Sequence, residues 1–375
     1  MGKHILVVSP YFYPEGGGLE RYAFNMAREL AEKEKVTVLC MTKGAERTEE
    51  INGITVHRVK PGAIISNTPL SLKFIFRAAH MVKESEVVIA HTPVPFAADV
   101  ASFFVKLKGI PIVIVYHTVG LKKGDKLLDF VAGIYSSTLE RATLRGAEII
   151  AVSGTVFEHL KSRGYNPRIS HPRLDVTEFD LSKTCRRKNA VLFVGQLGKY
   201  HRFKNLNLLI RAFAEILKEF PEWELWVVGE GDMVDEYKNL AKELGIMEKV
   251  HFFGSLGDQK LSKIYSKARF LVLPSSFESF GMVVAEALAF GVPVIVSPYV
   301  GAKFLVDEGK NGVILKNLDP KSLANAMREL MENPKALKKL SHIARRKICG
   351  FLDKNNKFSR TPRVTTPSNP ISKRK

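Results

Sequence analysis

Apolar residues along the chain fall into short runs of strand length, separated by longer stretches in which they recur every three or four positions. His4–Ser9 is the first such run. A Pro- and Gly-containing loop follows, and then Leu19–Glu32, where Leu19, Tyr22, Ala23, Met26, Ala27 and Leu30 keep helical spacing. Runs at Val36–Met41, Ile54–Val59, Val87–Ala90, Pro111–Tyr116 and Ile149–Val152 read as further strands, with helical patterns between several of them. A polar, basic segment, Ser182–Asn189, breaks the pattern and predicts an interdomain linker. A second series then begins, with strands at Val191–Gly195, Leu225–Gly229, Val250–Gly254, Phe270–Leu273, Val292–Val296 and Gly312–Leu315. Its helices are expected at Leu206–Phe220, Asp232–Leu244, Asp258–Ala268, Gly281–Ala289 and Pro320–Glu332. Strand and helix alternating in this way imply mainly parallel sheets covered on both faces. The expected fold is therefore α/β, with two Rossmann-like, doubly wound domains facing across a cleft. Their expected bounds are 1–183 and 184–350, followed by a basic tail, 351–375, whose Pro, Ser and Thr content predicts disorder.

Composition narrows the class. A chain of 375 residues exceeds the size of one usual hydrophobic core, and 45% hydrophobic with 25% charged residues is ordinary for a globular protein. The longest apolar stretches, such as Ile110–Tyr116 and Gly291–Ser297, are far shorter than the ~20 residues that span a bilayer. The N-terminus, with Lys3, Ile5–Val8 and Pro10, is strand-like and unlike a signal peptide. These features predict a cytoplasmic protein. Cys40, Cys185 and Cys349 are odd in number and widely separated, so neither a disulfide framework nor a Cys-x-x-Cys motif is available. The net charge of +19 admits nucleic acid, anionic lipid or phosphorylated ligands. By itself it selects none of them, and a share of it lies in the tail. The stretch Leu70–Lys83 mixes Leu72, Phe74, Ile75 and Phe76 with Lys73, Arg77 and Lys83. It fits either a core-facing helix with a basic solvated side or a helix in peripheral contact with an anionic membrane, at its inner face.

Ligands of open α/β sheets bind beyond the carboxyl ends of the strands. The loop after Phe270–Leu273 there reads Pro274, Ser275, Ser276, Phe277, Glu278, Ser279, Phe280, Gly281, Met282, with Glu286 further on. On one helix, Glu278 and Glu286 would lie about 80° apart. The spacing instead suits Glu278 in the loop and Glu286 two turns inside the helix. Amides near Phe280, Gly281 and Met282 would then offer a seat for a diphosphate at the positive helix end. Spacing alone is equally consistent with Glu278 and Ser279 as helix caps and Glu286 on a solvated face. Gly16, Gly17 and Gly18 follow the first strand and allow close backbone approach, or simply form a tight turn. Neither they nor Gly229 and Gly231 complete Gly-x-Gly-x-x-Gly, because Arg21 and Val234 occupy the last position. His117 and His91 end neighbouring strands and should point to one edge.

The segment Glu278–Glu286 resembles the Glu-x7-Glu signature of retaining glycosyltransferases of family 4, also described as glycosyl transferases group 1, which have the GT-B fold. The resemblance covers most of the chain, and Gly291, Pro293 and Val294 continue it. It implies that Glu278 lies beside the donor sugar and that Glu286 holds the nucleotide ribose. Val194–Leu197 with Lys204 resembles the family's Gly-Arg-Leu and Lys element, which implies contact with the donor diphosphate. Gln196 stands where the family has Arg, and Arg202 is the candidate to restore that charge. The resemblance further implies a donor- or acceptor-facing loop at Gly17 and Gly18, and a sugar-orienting histidine at His117. The expected catalytic set is thus Glu278, His117 and Lys204. The expected donor-binding set is Gly17, Gly18, Gln196, Arg202, Lys204, Ser279, Phe280, Gly281, Met282 and Glu286.

The implied activity is transfer of a hexose-type sugar, with retention, from a nucleoside-diphosphate-sugar to a hydroxyl of a glycan, lipid or small molecule. No Asp-x-Asp pair occurs, so neither metal nor cofactor is expected; Lys204 and a helix N-terminus can stabilise the leaving group's charge. Two departures from the family pattern stand out. Its Pro-Asn-Gly-Val-Asp element appears as His171, Pro172, Arg173, Leu174, Asp175, and its long final helix is replaced by the basic tail. A GT-B sugar-nucleotide epimerase or phosphorylase is the alternative enzyme. A basic nucleic-acid-binding protein is the alternative outside enzymes, although no nucleic-acid-binding module is recognised.

Overall fold

In the computed structural model, residues 2–65, 68–119, 126–172, 187–333, 337 and 339–344 are described. They form two compact units divided between His171 and Pro172. Arg173, Leu174 and Asp175, the expected boundary at 183/184, residues 182–186 and the tail 351–375 lie outside the described residues.

Unit 1 runs β1 (His4–Val8), α1 (Gly18–Ala31), β2 (Lys35–Met41), β3 (Arg47–Ile51), β4 (Ile54–Val59), β5 (Ala63–Ile65), β6 (Thr68–Leu70), α2 (Leu72–Glu84), β7 (Val87–Thr92), α3 (Ala97–Lys108), β8 (Ile112–Tyr116), α4 (Lys126–Ser137), α5 (Leu139–Leu144), β9 (Glu148–Ala151), α6 (Gly154–Ser162) and β10 (Arg168–Ile169). Its eight-stranded sheet has the order β10-β9-β8-β7-β1-β2-β4-β3. Every pairing in it is parallel except β3 with β4. The central strands are buried beyond their first residues, which is why they read as continuous apolar runs: Leu6, Val8, Val38, Leu39, Val88 and Val115 are fully enclosed. The strand order reverses at β1, which pairs with β2 on one side and β7 on the other. A doubly wound sheet has its crevice at such a reversal.

Unit 2 repeats the plan with β11 (Ala190–Val194), α7 (Leu206–Ile216), β12 (Glu224–Val228), α8 (Val234–Glu243), β13 (Val250–Phe252), α9 (Asp258–Lys267), β14 (Phe270–Leu273), α10 (Met282–Ala289), β15 (Val294–Val296), β16 (Gly312–Ile314) and α11 (Pro320–Glu332). The sheet order is β13-β12-β11-β14-β15-β16, parallel throughout, and it reverses between β11 and β14. Helix starts follow local chemistry. Asp319 accepts from Ser322 N at 2.8 Å with Pro320 as the first helical residue, and Ser71 caps α2 through Phe74 N.

Most expected elements are present within a few residues, and the departures have physical reasons. The helix expected over Leu206–Phe220 ends at Ile216, whose carbonyl accepts from both Glu219 N and Phe220 N in a closing turn ahead of Pro221, which cannot continue the helix. The helix expected from Gly281 starts at Met282, because Gly281 takes φ +90° as its N-cap. The described end of the expected linker is no linker. Arg187 donates to the carbonyls of Ala268, Phe290 and Gly291, and Lys188 N bonds Lys267 O, so these residues belong to the packing of unit 2. Within Leu70–Lys83, Leu70 ends β6 and Ser71 caps α2, which buries Phe74 and Ala78 but leaves Leu72 and Phe76 exposed.

One buried cation ties the loop after β1 to the sheet. Arg58 on β4 is fully enclosed; it donates to Phe12 O at 2.9 Å and to Tyr13 O, and pairs with Glu49. Removing it would leave two carbonyls and a carboxylate short of a donor. Replacing Arg58 by Ala is expected to cost about 3 kcal/mol, the scale for breaking a buried ion pair, seen as earlier chemical unfolding of unit 1. An unchanged midpoint would show that the loop holds itself.

Candidate active site

In unit 2 the chain leaves β11 and β14 side by side, and the two exits are stitched together. Ser276 N donates to Phe203 O at 2.7 Å, and the Asn205 side-chain amide donates to Pro274 O at 2.9 Å. Lys204 therefore comes back across the end of β14. Its Nζ lies 2.6 Å from Glu278 Oε2, with both side chains largely shielded. The lysine stem crosses Gly195, where a Cβ would stand 2.8 Å from Lys204 Cδ. Gly229 and Gly231, after β12, press against the backbone of the 195–198 loop so closely that a Cβ on either would overlap it. Leu197 N donates to Glu230 O at 2.8 Å in that contact. These glycines are thus packing devices, as their failure to complete a dinucleotide motif allowed.

Glu278 is held by its backbone on both sides, through its N–H to Tyr299 O at 3.1 Å and its carbonyl to Gly301 N at 2.9 Å. A Cβ at Gly301 would overlap Ser279 O, so the close approach requires glycine. The loop leads through Ser279, the buried Phe280 and Gly281 into Met282, the first residue of α10. Amides in a first helical turn lack carbonyl partners and sit at the positive end of the dipole. Glu286 is the fifth residue of α10, closer to the loop than the two turns expected. It is buried and accepts from the Tyr265 hydroxyl at 2.8 Å, which excludes a solvated face. Tyr265, on α9, is stacked against Phe290 with ring centroids 5.5 Å apart. Sequence reasoning missed it, since it reads only as an apolar position of a helix.

The structure brings Lys204, Glu278, Ser279, Phe280, Gly281 and Met282 together. Gln196 is exposed on the neighbouring loop. Arg202 is directed elsewhere: it pairs with Glu236 at 3.0 Å and contacts Met233 Sδ. It does not join the Lys204–Glu278 pair.

In unit 1 the corresponding edge carries His117, just past β8, and His91, near the end of β7. They bond directly, His91 Nδ1 to His117 Nε2 at 2.9 Å. The Tyr22 ring from α1 stands edge-on to His117, 5.0 Å between centroids. Burial pushes the His91 pKa down to about 3 and holds that of His117 well below the ordinary value, with His91 adding to the shift. Both rings are neutral near pH 7. Gly18 opens α1, and nothing lies within 4 Å of where its Cβ would be. The Gly17 N–H is already committed to Glu20 Oε2 at 2.6 Å. Among the described residues no group of three His, Cys, Asp or Glu side chains could hold a metal ion, and no helix is long and apolar enough to cross a membrane.

Two doubly wound units, parallel but for β3 and each reversing strand order along the edge that carries these groups, have the architecture of the GT-B class. The family models agree: residues 16–172 match "Glycosyltransferase Family 4" and residues 179–347 match "Glycosyl transferases group 1". The chain belongs to this glycosyltransferase family. A D-inositol 3-phosphate glycosyltransferase of Corynebacterium aurimucosum is 28% identical over 359 residues, covering 85% of this chain and 84% of the relative. Sucrose-phosphate synthase of Thermosynechococcus elongatus superposes with a TM-score of 0.76 at 20% identity, covering 94% of this chain and 95% of the other. Anabaena HepE, solved in complex with UDP-glucose, superposes with a TM-score of 0.75 at 18% identity, covering 95% and 98%.

The contact of Gly229 with Gly195 sets the height of the Lys204 loop. Gly229→Ala, at φ +142° and in overlap with the Gly195 carbonyl, is expected to destabilise by about 2 kcal/mol and to lower Tm by several degrees. An unshifted Tm would mean that the loop can rise freely.

Proposed function

We propose that this glycosyltransferase moves a hexose-type sugar from a nucleoside-diphosphate-sugar to an acceptor hydroxyl, with retention and without a metal. The observation that carries the reading is the Lys204–Glu278 pair set against the first turn of α10, with Glu286 fixed by Tyr265 in the next. The UDP-glucose complex of HepE supports a nucleotide-sugar donor. In this reading the ammonium of Lys204 and the amides of Gly281 and Met282 meet the diphosphate, whose negative charge grows as the anomeric bond breaks. Glu286 accepts from the ribose hydroxyls, and Glu278, with Ser279, orients the sugar. The acceptor oxygen bonds to the anomeric carbon on the face the diphosphate leaves, and its proton passes to the departing phosphate oxygen. His117 supplies a hydrogen bond to substrate.

Binding and turnover separate these roles. In a thermal-shift panel of UDP, GDP and ADP, the cognate nucleotide at ~100 times its Kd should add about 2.7 kcal/mol. Glu286→Ala should abolish that shift, and Lys204→Met should lower kcat by about 100-fold while chelator leaves the rate of the parent unchanged. Undiminished nucleotide binding by Glu286→Ala, or loss of activity on chelation, would overturn the respective assignment. An epimerised donor with no glycosylated acceptor would replace transfer by the epimerase reading.

The surface of unit 1 bears on where a lipid acceptor would be met. On α4, Leu127, Phe130, Val131 and Ile134 are all exposed at i, i+3, i+4 and i+7, the stripe that a helix ordinarily buries. Lys126, at the start of the helix, is exposed, as are Arg141 and Arg145 shortly after it in sequence. On α2, Leu72 and Phe76 are exposed beside Lys73 and Arg77, although both cations already pair with Glu46. An apolar stripe with basic residues near it in sequence fits an anionic lipid surface, and we place the enzyme at the cytoplasmic face of such a membrane. Co-sedimentation with vesicles containing phosphatidylglycerol should be lost in Phe130→Glu/Ile134→Glu and weakened by salt. Equal sedimentation of parent and double variant would remove the membrane from the proposal.

A further inference from the structure

We infer that His91 is a positioning residue that fixes the ring tautomer of His117, so that His117 offers a neutral Nδ1–H donor to a substrate oxygen. The inference rests on the reading above in that His117 touches substrate. The bond between His91 Nδ1 and His117 Nε2 needs one proton, and two neutral arrangements provide it. In the first, His117 Nε2–H donates and the proton of His91 sits on its own Nε2. In the second, His91 Nδ1–H donates and the proton of His117 sits on Nδ1.

The far nitrogen of His91 decides between them. Among the described residues, His91 Nε2 is enclosed and has no hydrogen-bond partner. The first arrangement would bury an N–H there with nothing to accept it, whereas the second leaves only a lone pair. An orphaned buried donor is the rarer and costlier defect. The second arrangement therefore holds, and it places the proton of His117 on the nitrogen turned away from His91. His117 keeps 8% of its surface accessible while His91 keeps none, so the donor belongs to the ring that reaches the surface. Tyr22 stands edge-on to both rings, at 5.0 and 6.0 Å, and its hydroxyl bonds Ser170 O, so the pair is packed against a side chain of α1 that is itself tethered. Burial keeps the pair uncharged, which suits hydrogen bonding to substrate and not proton delivery.

Long-range 1H–15N spectra of 15N-histidine-labelled protein read the tautomer without turnover. His117 should show a protonated Nδ1 and a bare Nε2, with no titration between about pH 5 and 8. Kinetics then test the link to His91. His91→Leu should lower kcat by about 100-fold, and His91→Asn, whose side-chain N–H takes the place of Nδ1–H, should recover to within about tenfold of the parent. An Nε2-protonated His117 in the parent, or equal rates in the two variants, overturns the inference. Full activity in His117→Ala, with the Nδ1 tautomer found, overturns instead the placement of His117 against substrate.

Discussion

A strand paired in parallel with both neighbours cannot return by a hairpin; the chain must cross the face of the sheet before it can re-enter. That constraint organises both units. Because each crossover starts from the carboxyl end of a strand, those ends share one edge, and loops distant in sequence arrive there together. Lys204 and Glu278 meet because β11 and β14 are neighbours. His91 and His117 meet because β7 and β8 are. At the β11–β14 meeting the strand order reverses, so the crossovers run apart on opposite faces and leave the edge open for side chains; β7 and β8 lie next to the reversal of their own sheet, which falls at β1.

The same constraint explains what could be read from the sequence. Strands buried on both faces must be apolar throughout, so β14 was legible to the residue and β1, β2 and β8 to within one or two. β3 was not, because Arg47–Ile51 is an antiparallel edge strand with exposed Arg47, Thr48 and Glu50, and carries no apolar run. β5, β6 and β10 are two or three residues long, too short to show a period. At the site, the signature around Glu278 and Glu286 was legible as residues but not as contacts. Glu286 carries no local sign that Tyr265, 21 positions earlier, reaches it. His91 could be placed at the right edge, but its bond to His117 depends on side-chain direction at two strand ends, which periodicity does not encode.

The pairing of charges changes what the Gln196 substitution means. Had Arg202 been free, it could have replaced the positive charge that the family carries at position 196. It is instead held on Glu236, and Gln196 itself is neutral. The cation paired with Glu278 is therefore Lys204, and Glu278 largely cancels its charge. On the proposed function, an arriving diphosphate competes with Glu278 for the ammonium. An ammonium has three donors, so it can keep Glu278 while giving the remaining two to phosphate. On the same proposal the neutral amides at the start of α10 would carry a larger share of anion binding than an Arg at position 196 would have left to them. Their dipoles are fixed by the backbone, need no counter-charge, and are oriented before ligand arrives. The close packing of Gly301 on Ser279 and the positive φ of Gly281 belong to the same requirement, since both hold that turn in place.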